Sequence, residues 1–299
     1  MTGHAKDKPA TDMPYVRRSV WLTVALGVFA ALILEFGFPQ RTLTAPMAST
    51  VNMADMTWVQ VRGAIERGYT VAIVPTGGVE QNGPQMVLGK HDYIVRKTSD
   101  RIARQLGNAL VTPVVSFVPE GNYDPPSGNL LFPGTLGVPE AAFAATLEGI
   151  ARSLKSAGFT TICFIGDHGG SQAAQAAVAA KLDRAWTGQG IAVLHVSDYY
   201  NVDKPQTAYL REKGETPATI GFHAGIIDTS ELLAAHPQGV DLSQLKAVPW
   251  NSEPTGNSGD PTHASVEYGN TLLKIKIDAA IRQIRAVLAK QKRFRLGRL

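Results

Sequence analysis

Three features of the chain predict an α/β fold with a mainly parallel sheet. Short apolar runs with strand character, Thr70 to Val74, Thr160 to Ile165 and Ile191 to Val196, alternate with longer stretches of helical period. The first two runs end in Gly-rich loops that carry ionisable groups, which is where an open α/β sheet places its chemistry. A hydrophobic content of 44% against 18% charged, in 299 residues, supplies a sizeable core.

Residues 1–52 stand apart from this pattern. Ser19 to Leu34 holds sixteen residues without a charge, directly after Arg17-Arg18. Positive residues before an apolar stretch predict an export signal or membrane anchor. The run is shorter than the about 20 residues of a relaxed spanning helix, and Phe36-Gly37-Phe38 extends it past Glu35. No small-x-small cleavage site stands out, so the expectation is an anchor in the inner membrane over residues 19–38. The folded body would then be exported, on the periplasmic or extracytoplasmic side. Residues 39–50 read as a polar, Pro-containing linker.

From residue 53 to 289 one folded domain is expected. Asp55-Met56-Thr57 opens a capped helix over 57–67 that ends near Gly68. Ile94, Ile102 and Leu106 give Asp92 to Leu106 a helical face. Ala109 to Val118 is extended and interrupted by Pro113, and Gly121 to Pro133 is a long loop. Pro139 opens and Gly158 closes an Ala-rich helix. Ser171 to Trp186 is a further helix. Residues 266–289 form a last amphipathic helix, with Leu273, Ile277, Ile281, Ile284 and Leu288 on one face. Residues 290–299 are expected to be a solvated basic tail.

That tail explains the net charge. Lys290, Lys292, Arg293, Arg295 and Arg298 alone outnumber the net +4 of the whole chain. The body therefore carries no basic excess, and no nucleic-acid partner is expected. The single cysteine, Cys163, excludes an internal disulfide and sits in an apolar run, as a small core residue does.

The chemistry concentrates in Pro75 to Asp92, which places Glu80, Gln81, Asn82, His91 and Asp92 among glycines and prolines. Gly166-Asp167-His168-Gly169-Gly170 repeats the design after the next strand, and His223-Ala224-Gly225 with Asp228-Thr229-Ser230 follows. Imidazole and carboxylate suit zinc, manganese or iron. Glu80, His91, His168 and Asp228 are thus the candidate metal ligands, on loops that meet at the carboxyl edge of a parallel sheet. Asp228 also reads as an ordinary helix cap.

These motifs carry a resemblance. The order Glu80-Gln81-x-Gly83-Pro84, Leu88-Gly89, Gly166-x-His168-Gly169-Gly170 and His223-Ala224-Gly225-x-x-Asp228-Thr229-Ser230 resembles the creatininase (creatinine amidohydrolase) family. Pro133-Gly134-Thr135, Gly259-Asp260-Pro261 and Glu267-Tyr268-Gly269 fit the same pattern, so the resemblance spans about residue 53 to the last helix. It implies a three-layer α/β/α sandwich, a metal-dependent amidohydrolase, and a homo-oligomer, often a hexamer. The chain also departs from the family. The family loop has histidines where Asn82 and Gln85 stand, and a metal-bridging Asp where His91 stands, with Asp92 one residue late. The resemblance therefore implies one metal per chain, held by Glu80, His91, His168 and Asp228, rather than two.

The expected reaction is metal-assisted hydrolysis of a C–N bond in a small, open or cyclic amide. Asp228 serves as fourth ligand or general base, and His223 protonates the leaving nitrogen. Gly78 and Gly169 let backbone approach the substrate, Asn82 faces it, and Tyr123 lines the entrance. His195 and His263 have no matching role. A peptidase or formamide deformylase on the same fold stays open. So does a ligand-binding protein without turnover, since fold alone does not decide function.

Overall fold

The structure, a computed structural model, describes residues 49–246 and 255–296, with side chains to residue 293. The chain divides into two units, residues 1–44 and 45–299. Only the second is described, so the expected signal or anchor lies outside the described residues. Among the described residues no helix is long and apolar enough to cross a membrane.

Four parallel strands form one sheet in the order β2-β1-β3-β4: β1 (Val71–Thr76), β2 (Ala109–Val111), β3 (Thr161–Gly166) and β4 (Ala192–His195). Helix α1 (Trp58–Glu66) precedes them, α2 (Lys90–Leu106) joins β1 to β2, and α3 (Glu140–Ala157) joins β2 to β3. Helix α4 (Gln172–Ala185) joins β3 to β4. Then come α5 (Ser197–Tyr200), α6 (Asp203–Glu212), α7 (Pro217–Ile220), α8 (Ile226–Ala235) and α9 (Val266–Leu296).

The side-chain period of two sorts the strands into two cores. Ala72, Val74, Ile162 and Phe164 point to one face and pack with Ala64, Phe143, Leu147, Leu154, Val178 and Leu182 of α1, α3 and α4. Val71, Ile73, Cys163 and Ile165 point to the other face and meet Val95 and Ile102 of α2 and Ile277, Ile281 and Ile284 of α9. Helices cover both faces of the sheet, giving the expected three layers, and each of those α9 isoleucines contributes roughly 1.5–3 kcal/mol by burial. Cys163 is buried core, and burial pushes its thiol above the usual range.

Local chemistry sets the helix ends. Thr57 and Gln60 form a capping box at α1. Gly107 and Gly158 close α2 and α3 in the left-handed conformation. Gly269 lets α9 lie against α8, because a Cβ there would sit 1.8 Å from the Ser230 carbonyl oxygen. Two boundaries differ from expectation. Helix α2 begins at Lys90, so His91 stands in its first turn rather than in a loop. Helix α9 runs on to Leu296, and Gln291 ties it to Thr160 and Thr161 at the start of β3, where a solvated tail was expected.

The strand order positions the site. From β1 the chain moves outward to β2, then returns to the opposite side of β1 as β3 and β4. Loops leaving β1 and β3 diverge there and open a crevice at the carboxyl ends of the two strands. Thr76 pairs with Gly166 in register, so the Glu80 loop and His168 start side by side.

Candidate metal centre

Glu80 lies four residues beyond β1. Its N–H donates to the Leu88 carbonyl at 3.1 Å, closing the loop upon itself. Asn82, fully buried, fills that loop and donates its amide to the carbonyls of Glu80 (2.9 Å), Val87 (3.4 Å) and Leu88 (3.4 Å). His91 projects from the first turn of α2. His168 follows β3, with its carbonyl accepting from Ser171 and Gln172, both at 2.8 Å.

These three side chains converge. His91 Nε2 is 2.7 Å from Glu80 Oε1, and His168 Nε2 is 3.0 Å from Glu80 Oε2. One donor atom from each lies within 4.8 Å of the others, and all three residues are buried. His91 Nδ1 donates to Asp167 Oδ2 at 2.8 Å, which leaves Nε2 as the nitrogen that faces Glu80. A lone pair facing a carboxylate oxygen at that distance requires a proton or a cation. Glu120 adds a second carboxylate. Its Oε2 is 3.1 Å from His168 Nε2, while its Oε1, like His168 Nδ1, is buried without a partner. Asn129 donates to both Glu80 and Glu120. Buried oxygen and nitrogen donors with partnerless atoms fit a divalent cation.

The electrostatics agree. Burial alone would raise the Glu80 carboxyl, but hydrogen bonds from His168 and His91 hold it well below the usual carboxylate range. Burial pushes Glu120 up, despite its contact with His168. His168 loses hydration by burial, yet Glu120 and Glu80 outweigh that loss and raise its pKa to about 9.

The three donors line one wall of a cavity of about 450 Å³, which Lys90, His223 and Asp228 also line. Asp228 stands outside the three-residue donor group. Its Oδ1 is 3.2 Å from the Lys90 ammonium, and its Oδ2 accepts the Ala224 N–H at 2.7 Å. Burial opposes its charge, but Lys90, His223 and His91 keep its carboxyl below the usual range. Lys90, 1% exposed, is a fixed cation beside the donors. Ala224 takes a positive φ of 54°, and its carbonyl is gripped by Gln85 (2.8 Å) and Asn257 (2.9 Å). Those bonds compensate a conformation that costs an alanine roughly 1–2 kcal/mol. His223 Nε2 is 2.9 Å from the Gln81 amide nitrogen, and burial, with Lys90, lowers its pKa.

The remaining expected residues divide. Gly169 lines the cavity. Gly78 packs against the His168 ring and Glu120, which a Cβ would meet at 3.4 and 3.3 Å. Asn82 is not aimed at a substrate, because its amide is spent on the loop carbonyls. Tyr123, 54% exposed, is not among the cavity-lining residues. Asp92 turns to the Gly78 N–H at 3.2 Å, away from a bridging position. His195 bonds Gln172, and His263 pairs with Glu215 at the surface. Sequence reasoning missed Glu120, Asn129, Lys90 and Asp167. The available signal for Asp167 was an acid adjoining His168 at the end of an apolar strand, and for Glu120 an acid ending the extended segment after Pro113.

An α/β sheet with a buried Glu-His-His group at its switch point defines a protein with a candidate metal site in its crevice. The creatininase family model, described as creatinine amidohydrolase, matches residues 54–284, and the chain belongs to this family of hydrolases. It is 26% identical over 204 residues to the creatinine amidohydrolase of Pseudomonas putida, covering 67% of this chain and 77% of that one. It is 25% identical over 241 residues to the mycofactocin precursor peptide peptidase of Mycolicibacterium smegmatis, covering 72% and 84%. A solved manganese creatininase aligns over 79% of this chain and 98% of its own, with a TM-score of 0.63 and 23% identity.

Proposed function

We propose that this protein is a single-metal amidohydrolase acting on a C–N bond of a small, open or cyclic amide. The observation that carries the reading is the convergence of Glu80, His91 and His168, donors within 4.8 Å of one another, on a cavity deep enough for a small molecule. Glu80, His91 and His168 would hold the ion, with Glu120 beside His168 as the further carboxylate. A divalent ion bound there supplies a water acidified to near neutral pH and a polarised carbonyl. Zinc and manganese both suit this set, and iron fits the same donors.

The chain's own residues supply the rest. Asp228, held ionised by Lys90 and the Ala224 N–H, faces the cavity as the proton acceptor. His223, with a lowered pKa, is neutral at pH 7 and serves the leaving nitrogen as a hydrogen-bond donor. The absence of histidine at positions 82 and 85, and the use of both amides on backbone carbonyls, support one metal rather than two.

The peptidase reading keeps one supporting observation: a relative similar over 72% of this chain is a peptide peptidase. Elemental analysis of the purified chain, with hydrolysis assays on cyclic amides, linear amides and short peptides, tests both readings. About one metal per chain and turnover of a small amide, both lost in His168→Ala, is the expected result. Peptide cleavage alone would favour the second reading. Failure to bind any metal after reconstitution would remove both and leave a ligand-binding protein.

A further inference from the structure

A second buried charged cluster lies behind the donors. Asp167, at the end of β3, accepts three hydrogen bonds: from His91 Nδ1 (2.8 Å), Tyr199 O–H (2.8 Å) and Lys276 Nζ (2.7 Å). Lys276 comes from α9, 109 residues away in sequence, and is 7% exposed. Its ammonium also reaches Glu231 of α8 at 2.8 Å, and Glu231 accepts from Gln206 of α6 at 2.7 Å. Tyr199 is fixed in turn by Thr98 of α2 at 2.9 Å.

We propose that Lys276 and Asp167 are positioning residues that set the tautomer of His91 and aim its Nε2 at the metal. This inference rests on the metal-binding reading above. An imidazole can present either nitrogen, and the choice follows from the bond that the other nitrogen makes. Here Asp167 claims the Nδ1 proton. Asp167 would itself be free to rotate, but Tyr199 and Lys276 pin its other oxygen, Oδ1, and leave Oδ2 to His91. The last helix thus orients a ligand that stands at the start of the second helix. A carboxylate behind a ligating histidine typically changes metal affinity by about 10–100-fold. Glu231 keeps Lys276 in place by sharing its charge, so the cluster is held from α8, α9 and β3 at once.

The test uses the full chain, labelled with 15N-histidine, and zinc as the probe. Asp167→Asn keeps the shape and leaves Lys276 paired with Glu231, so the fold survives. The double variant Lys276→Met with Glu231→Gln removes the anchor at constant net charge. We expect a slowly exchanging, hydrogen-bonded proton on His91 Nδ1 in the wild type, with or without zinc, and its loss in Asp167→Asn. Zinc affinity should fall by about 10–100-fold in Asp167→Asn and by a smaller factor in the double variant. A wild-type His91 without a proton on Nδ1 would overturn the proposal. So would zinc affinity within twofold of wild type in both variants. If the wild type bound no zinc, the hydrolase reading would fail, while the Nδ1 proton would still decide the tautomer.

Discussion

Two buried charged clusters sit within one ligand's width of each other, and they are built differently. Around Asp167, Lys276 supplies the compensating charge: one ammonium faces two carboxylates at 2.7 and 2.8 Å. Around Glu80, the protein places two carboxylates and two imidazoles face to face, with a partnerless Glu120 oxygen, and supplies no lysine or arginine among those contacts. A buried charge without a partner is expensive, and at neutral pH a proton on His168 answers the Glu80 and Glu120 carboxylates, in the place that a bound cation would take. His91 joins the two, one nitrogen on each. The first cluster carries its own cation, and the second is the candidate metal group.

The contrast can be broken most severely at the open cluster. Replacing His168 by Ala should abolish hydrolysis and metal-dependent stabilisation. Zinc at 100 times its dissociation constant stabilises a one-site protein by about 2.7 kcal/mol. Thermal melts with and without zinc should show that gain in the wild type and none in the variant.

At the closed cluster, Lys276→Met alone strands Asp167 and Glu231. Breaking a buried pair this way costs about 3–5 kcal/mol, and urea unfolding of the metal-free protein should show a loss of that size. Here the damage is to folding first and to metal binding second, the reverse of His168→Ala.

The pH response sharpens the comparison further. In the metal-free protein His168 has a pKa of about 9, raised above an unfolded value of about 6.5. Its stabilisation is therefore complete below about pH 6.5 and is lost as pH rises through 9. Glu80 and Asp167, both held low, act in the opposite sense: their contribution is present above about pH 4.5 and is lost as the solution turns acid. Melting temperatures of the metal-free protein should fall by a few degrees between pH 6.5 and 9.5, and the decline should vanish with zinc, which replaces the proton.

The smallest expected effect is a control distant from both. Thr57→Ala removes the capping box of α1 and should cost about 1 kcal/mol. Zinc affinity, measured by competition with a chromophoric chelator, should stay unchanged.

Much of this was legible in the sequence. Strand runs and helical faces gave the layers, because apolar periodicity is a local property that burial enforces. Glu80, His91 and His168 could be grouped because each follows a strand at the same sheet edge. Asp228 could be read only as a ligand, a base or a cap, since nothing local reveals that Lys90 pairs with it. Between residues 197 and 220 three short helices carry no readable pattern, because none is long enough to show a period.

By itself, then, the sequence determined the α/β class, the order of the elements and the three residues of the candidate metal group, all carried by patterns within a few residues of each other. Only the tertiary structure decided that Glu120 stands beside His168, that Asn82 and Gln85 serve the backbone, and that Lys276 pairs with Asp167. The reason is physical. A lysine within the buried face of α9, beside Leu273 and Ile277, signals that a counter-charge must exist, but the low dielectric that makes the pair obligatory says nothing about which carboxylate supplies it. That choice is made by packing α9 against the ends of β3 and α8, across 109 and 45 residues of chain.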